Sequence, residues 1–153
     1  MTYDLYAGSI WTSTEPQTRH PVVIKVCNKK LHSNHSVMIN GKQYYVHENI
    51  MKERAILKYL TTAQDSPKEI VKYLNWFVDD YNYYLVMENG GHSLFDFVTK
   101  AHEYIKIGKI EISEWQKLVQ LLFKQMVNTV AYMHEKNVAN FDVSLLSPSS
   151  FSP

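Results

Sequence analysis

The feature that most restricts the fold of this chain is a stretch of helical period near its end. The apolar residues Trp115, Leu118, Val119, Leu122, Phe123, Met126, Val130 and Met133 recur at steps of three and four, which puts them on one face of a single long helix. Ser113 and Gln116 stand at capping-box spacing at its start. A helix with so wide an apolar stripe has to bury it against other elements.

The residues before it follow other periods. Gly8 to Thr12 and Val22 to Cys27 are rich in β-branched and aromatic residues and read as two strands. The turn-forming residues Ser13 to Thr18 between them make a hairpin with a long loop. The polar segment Asn28 to Gln43, with the turn dipeptide Asn40-Gly41, reads as an exposed insertion. From Val46 to Leu60, the residues Val46, Ile50, Ile56, Leu57 and Leu60 share one helical face, with Glu48, Lys52, Arg54 and Lys58 mostly elsewhere. Val71 to Val78 and Tyr83 to Met87 then read as adjacent antiparallel strands joined through Asp79-Asp80-Tyr81-Asn82. Gly90-Gly91 breaks the pattern, and Ser93 caps a short helix through Leu94, Phe95, Phe97 and Val98, ahead of a charged stretch from Lys100 to Lys109. The Ser/Pro-rich residues Ser147 to Pro153 read as a disordered tail. The fold class is therefore α+β: a small antiparallel sheet with one packed helix, a connector, and the first helices of a mostly helical part.

Composition narrows function by exclusion. The 153 residues carry a formal net charge of +1, so neither nucleic acid nor an anionic membrane is an expected partner. Met1 to Ile10 lack a secretory pattern and no stretch nears the roughly 20 apolar residues that cross a bilayer, which predicts a soluble protein of the cytoplasm or nucleus. The lone Cys27 reads as a small buried residue. The seven histidines stand in no zinc-site spacing, so no metal-ligating residue is assigned.

Chemistry enters with Lys25. A lysine inside the apolar run Val22-Val23-Ile24-Lys25-Val26-Cys27 is costly unless its ammonium finds a partner. Glu53, one turn before Ile56 and Leu57, borders the inward face of its helix and is the candidate. The plainer alternatives are that Lys25 snorkels from an edge strand and that Glu53 is solvated.

Read in order, these parts resemble a eukaryotic-type protein kinase domain. Val22-Val23-Ile24-Lys25 matches the kinase V-A-I-K strand, whose lysine holds the α- and β-phosphates and pairs with a helix glutamate. Leu85-Val86-Met87-Glu88-Asn89-Gly90-Gly91 through Leu94-Phe95-Asp96-Phe97-Val98 resembles the hinge between kinase lobes. The resemblance implies that Met87 is the gatekeeper and that backbone groups of Glu88 and near Gly90 hydrogen-bond adenine. It puts Gly8 and Ile10 at the end of the glycine-rich cover over the phosphates, and Asp142, after the long helix, in the place of the H-R-D aspartate. Lys25, Glu53 and Asp142 are thus the catalytic candidates, with ATP and Mg²⁺ as cofactors and a protein serine or threonine as acceptor. Residues 1–88 correspond to the N-lobe, and 89–146 to the hinge and start of the C-lobe.

The departures from the family are specific. Tyr3 and Leu5 fall where the two earlier glycines of the cover belong, with no room for most of the first strand. Asn140, Phe141 and Ser144 replace the histidine, arginine and following lysine of the catalytic loop, and Ser147 falls where a magnesium-binding asparagine belongs. No D-F-G or A-P-E follows. The expectation is a kinase-like ATP-binding domain that is incomplete and catalytically inactive. The alternative is a truncated pseudokinase that binds nucleotide or docks a partner through a long helix with Trp115, Leu122, Phe123 and Met126 partly exposed. An unrelated small α+β domain is the third reading.

Overall fold

A computed structural model describes residues 2–5, 8–16, 18–34, 36–45 and 49–140. In chain order the elements are strands β1 (Thr2–Leu5), β2 (Gly8–Thr14) and β3 (Pro21–Asn28), helix α1 (Lys29–Asn34), strands β4 (Ser36–Ile39) and β5 (Lys42–Tyr45), helix α2 (Ile50–Thr62), strands β6 (Tyr73–Val78) and β7 (Asn82–Glu88), and helices α3 (Leu94–Lys106) and α4 (Ile112–Glu135). They form two compact units, Met1–Tyr59 with Lys72–Asn89, and Leu60–Val71 with Gly90–Pro153. The α+β class expected from the sequence holds.

The first unit is built on a five-stranded sheet in the order β1-β2-β3-β7-β6, antiparallel at every step. Register matters more than order here. Lys25 lies opposite Ile10 on one side and Leu85 on the other, and Leu85 lies opposite Trp76. Directly opposed residues of antiparallel strands point to the same face, so Ile10, Lys25, Leu85 and Trp76 form one row. The core lies on that face, around Cys27, Ile50 and Leu85, with Tyr73, Trp76, Tyr83, Met87 and Leu31 packed against it. Ile50 and Leu85 are 1% and 0% exposed, so α2 covers this face from its first residue. Cys27 is buried, as its apolar neighbours predict.

Asn49 starts α2. Its Oδ1 accepts the N–H of Lys52 at 3.0 Å, satisfying one of the amides that a helix start leaves open. The helix accordingly begins later than the apolar period implies, and Val46 falls outside the described residues. The segment read as an exposed insertion is built of α1 and the β4–β5 hairpin. Asn28 Oδ1 accepts the N–H groups of Lys30 at 3.0 Å and Leu31 at 3.4 Å to cap α1. Asn40 and Gly41, with φ of 51° and 76°, turn β4 into β5 with the left-handed pair that two-residue hairpins favour. The first strand, for which the sequence left little room, is present as the four residues of β1, paired from Leu5 opposite Gly8 to Thr2 opposite Trp11.

At the other edge, β6 carries a register shift between Tyr73 and Asn75. The N–H of Trp76 donates to Asn75 Oδ1 at 2.8 Å. The hairpin into β7 turns on Asp79. Its Oδ1 accepts the N–H groups of Tyr81 at 2.8 Å and Asn82 at 2.6 Å, and its Oδ2 accepts the Tyr84 hydroxyl at 2.6 Å. The Tyr84 hydroxyl, then those two amides, hold the Asp79 carboxyl below its ordinary value, and the same bond to Asp79 raises the Tyr84 phenol.

In the second unit Ser93 Oγ accepts the N–H of Asp96 at 3.1 Å, the cap its position predicts. The helix it starts runs to Lys106, well beyond Val98. The charged stretch is its solvent face, since Ala101 is buried among the exposed Lys100, Glu103 and Lys106. α4 begins one residue before Ser113, and Glu111 supplies the cap position, its N–H donating to Glu114 Oε2 at 3.3 Å. A carboxylate one turn in serves this start, so Ser113 and Gln116 are not the capping pair. Trp115 meets Phe97 and His102, with ring centroids 6.1 and 5.8 Å away. Tyr132 is buried and donates its hydroxyl to the Leu60 carbonyl at 2.8 Å, and Lys136 pairs with Asp65 at 3.1 Å. Val119, Leu121, Phe123 and Val127 of α4 stay exposed.

Two outcomes are expected. Tyr132→Phe leaves the buried Leu60 carbonyl without its donor and should lower stability by about 1–2 kcal/mol in denaturant unfolding. Asp79→Asn should lower the thermal midpoint at pH 7. Because the folded-state pKa of Asp79 is depressed, its contribution is present above the unfolded value of 3.8 and is lost as pH falls through the folded value. The gap between variant and wild type should therefore close below that pH.

Candidate functional site

Of the candidate site residues singled out from the sequence, six lie in the first unit: Gly8, Ile10, Lys25, Glu53, Met87 and Glu88. The ammonium of Lys25 donates to Glu53 Oε2 at 2.8 Å. The Lys25 side chain is 15% exposed and that of Glu53 39%. β3 is the middle strand of the sheet and its Lys25 has Ile10 and Leu85 as flanking neighbours, so the lysine does not snorkel from an edge. The carboxylate reaches it because Glu53 lies one turn into α2, whose first residue, Ile50, is buried in the core.

Gly8, at the start of β2, is opposite Cys27. A Cβ there would stand 1.8 Å from the Val26 carbonyl oxygen. Only glycine lets the two backbones approach this closely. Ile10 is two residues along the same strand, beside Lys25.

Met87 lies opposite Val23 and Tyr73 and packs against the core. Glu88 ends β7. Its N–H donates to the Lys72 carbonyl at 2.9 Å, and its Oε2 accepts the Lys72 N–H at 3.2 Å. Both its backbone N–H and its carboxylate are therefore engaged by Lys72. Gly90 follows the strand and groups with the second unit. Asp142, with Ser144 and Ser147, lies outside the described residues.

The protein kinase domain family model matches residues 6–144. The chain belongs to the protein kinase domain family. That span takes in nearly all of the 153 residues, and the antiparallel sheet with its packed helix is what a kinase N-lobe and the start of a C-lobe require. A comparison with curated proteins gives no match. Among the described residues of this kinase domain, no group of three or more His, Cys, Asp or Glu is arranged to hold a metal ion, and no helix is long and apolar enough to cross a membrane.

Sequence reading found both members of the ion pair but not what seats α2. Asn49 directly before Ile50 carries an N-cap signal. Arg54, next to Glu53, lies over the ring of Trp76 at 4.8 Å from its centroid. Trp76 is visible in the sequence only as one of several aromatic strand residues.

The two charges of the pair are unequally buried, and this predicts unequal losses. Glu53→Ala strips the more buried partner of its counter-charge and should cost about 1–3 kcal/mol in chemical denaturation. Lys25→Met leaves a carboxylate that water reaches and should cost less.

Proposed function

We propose that this kinase domain binds ATP on the Lys25 face of its sheet and that its catalytic loop is unsuited to phosphoryl transfer. The observation that carries the first half is the ion pair at 2.8 Å between Lys25 and Glu53. An aligned ammonium beside a strand-borne glycine backbone is the kind of group that holds α- and β-phosphates in this family. Gly8 supports the same reading, because a position with no room for a Cβ keeps side chains away from the phosphate side of β2. The Glu88 carbonyl would accept the exocyclic amine of adenine, the N–H near Gly90 would serve its ring nitrogen, and Met87 and Ile10 would border the base. In this reading 1–88 is the N-lobe and 89–146 is the hinge and start of the C-lobe.

ATP brings the transferable γ-phosphoryl group and Mg²⁺ neutralises its charge. The second half of the proposal rests on the residues that would handle these. Asp142 occupies the position of a base that orients the acceptor hydroxyl of a protein serine or threonine. Its neighbours Asn140 and Phe141 replace the usual histidine and arginine, and Ser147 stands in place of a metal-binding asparagine. Without that ligand the metal-dependent charge stabilisation loses most of its strength.

A second reading, a pseudokinase whose role is docking, draws on the exposed Val119, Phe123 and Val127 of α4, which share one side of the helix at four-residue steps and form an apolar stripe of the kind partners cover.

Thermal unfolding with and without millimolar ATP and Mg²⁺ tests the first reading. ATP at about ten times its Kd should stabilise the protein by about 1.4 kcal/mol, and Lys25→Ala should abolish the shift. A cooperative transition that ATP leaves unmoved overturns nucleotide binding and leaves docking. Asp142-dependent transfer of labelled γ-phosphate to a protein acceptor would overturn the proposed inactivity.

A further inference from the structure

Glu53 and Arg54 are consecutive on α2, so their side chains leave the helix about 100° apart. Each reaches a different member of one cross-strand row. Glu53 meets Lys25 at 2.8 Å, and Arg54 stacks over Trp76 at 4.8 Å from the ring centroid. Between Lys25 and Trp76 in that row lies Leu85, which is fully buried. The helix thus straddles Leu85 with one polar contact on either side. Rotating α2 about its axis to lengthen one contact would displace the other.

The Arg54 contact is held by the ring. Its Nε is buried and, among the described residues, makes no hydrogen bond. Leaving a buried donor without an acceptor is unfavourable, so the guanidinium stays there for the face of an indole, the strongest of the aromatic partners for a cation. Trp76 is itself fixed by stacking on Tyr83, with centroids 5.5 Å apart and planes 20° apart. His32 of α1 meets the edge of the same Tyr83 at 5.6 Å, and its Nε2 is 3.4 Å from the Asn49 Oδ1 that caps α2. Both the flank and the start of α2 are therefore tied to one aromatic platform.

We propose that Trp76 is a positioning residue: by holding Arg54 it sets the rotation of α2 that brings Glu53 to Lys25. The contribution to ligand binding rests on the nucleotide reading above, but the effect on the ion pair does not.

The test is a double-mutant cycle between Lys25→Met and Glu53→Ala, read as non-additivity in ligand-free unfolding. It is run in the wild type, in Trp76→Phe, which keeps an aromatic face, and in Trp76→Leu, which keeps only apolar bulk. The expected result is a measurable Lys25–Glu53 coupling in the wild type and the Phe variant and its loss in the Leu variant. Coupling that persists in Trp76→Leu overturns the proposal, as does its equal loss in Trp76→Phe. Should Trp76→Leu fail to fold, Arg54→Met tests the contact from the helix side with the same two outcomes.

ATP-induced shifts measured on the same proteins separate the two ideas. Coupling lost in the Leu variant with no ATP shift in the wild type sinks nucleotide binding alone. An ATP shift in the wild type with coupling retained in the Leu variant sinks the positioning role alone.

Discussion

A charge in the middle of an apolar strand organises the first unit. β3 has a paired strand on each side, and its Lys25 stands in a row with Ile10, Leu85 and Trp76. An ammonium in that row needs a counter-charge from above the sheet, since both sides are occupied by strands. α2 supplies it, and in doing so must lie across the row with Ile50 against Cys27 and Leu85. The choice of helix start at Asn49, the placement of the core on one face and the ion pair are one arrangement. The ion pair and the contact of Arg54 with Trp76 both depend on the rotation of the helix, and burial of apolar area supplies most of the energy that holds it down.

Several parts of this arrangement are legible in the residues themselves. The periodicity of α4, the Ser93 cap and the β6–β7 hairpin through Asp79 follow from local chemistry that tertiary context does not overturn. Lys25 could be matched to Glu53 because a buried lysine demands a carboxylate and few lie on an inward helical face. Other parts were hidden. α3 runs past Val98 because Ala101 and Ile105 keep the helical period beneath the charged residues, so much of what reads in the sequence as a charged stretch after the helix is its solvent face. α1, β4 and β5 were concealed by polarity. Their signals, Asn28 as a cap and Asn40-Gly41 as a left-handed turn, are single residues that gain meaning only once the flanking backbone is seen to pair. The contact of Arg54 with Trp76 joins residues far apart in the chain, and no periodicity announces it.

Membership of the kinase family and the identity of the residues in the catalytic loop point in different directions, and the two need not conflict. The elements that present Lys25, Glu53 and the bare Gly8 belong to the sheet and its helix. The residues that would carry out transfer stand around Asp142 in the sequence, where Asn140, Phe141 and Ser147 depart from the family pattern. Holding a nucleotide and using it are separable tasks, and the function proposed above assigns them to different stretches of chain.

The outer edge of β6 bears on how the molecule behaves in a crowd. A bare edge strand offers a row of amides and carbonyls on which another chain can add. Here the register slips between Tyr73 and Asn75, and the Trp76 amide is already taken by its own neighbour's side chain. The edge is bent and partly spent, so a second molecule finds no regular ladder to extend along this side. Growth of the sheet from copy to copy is discouraged at β6 without any charged residue being spent on it.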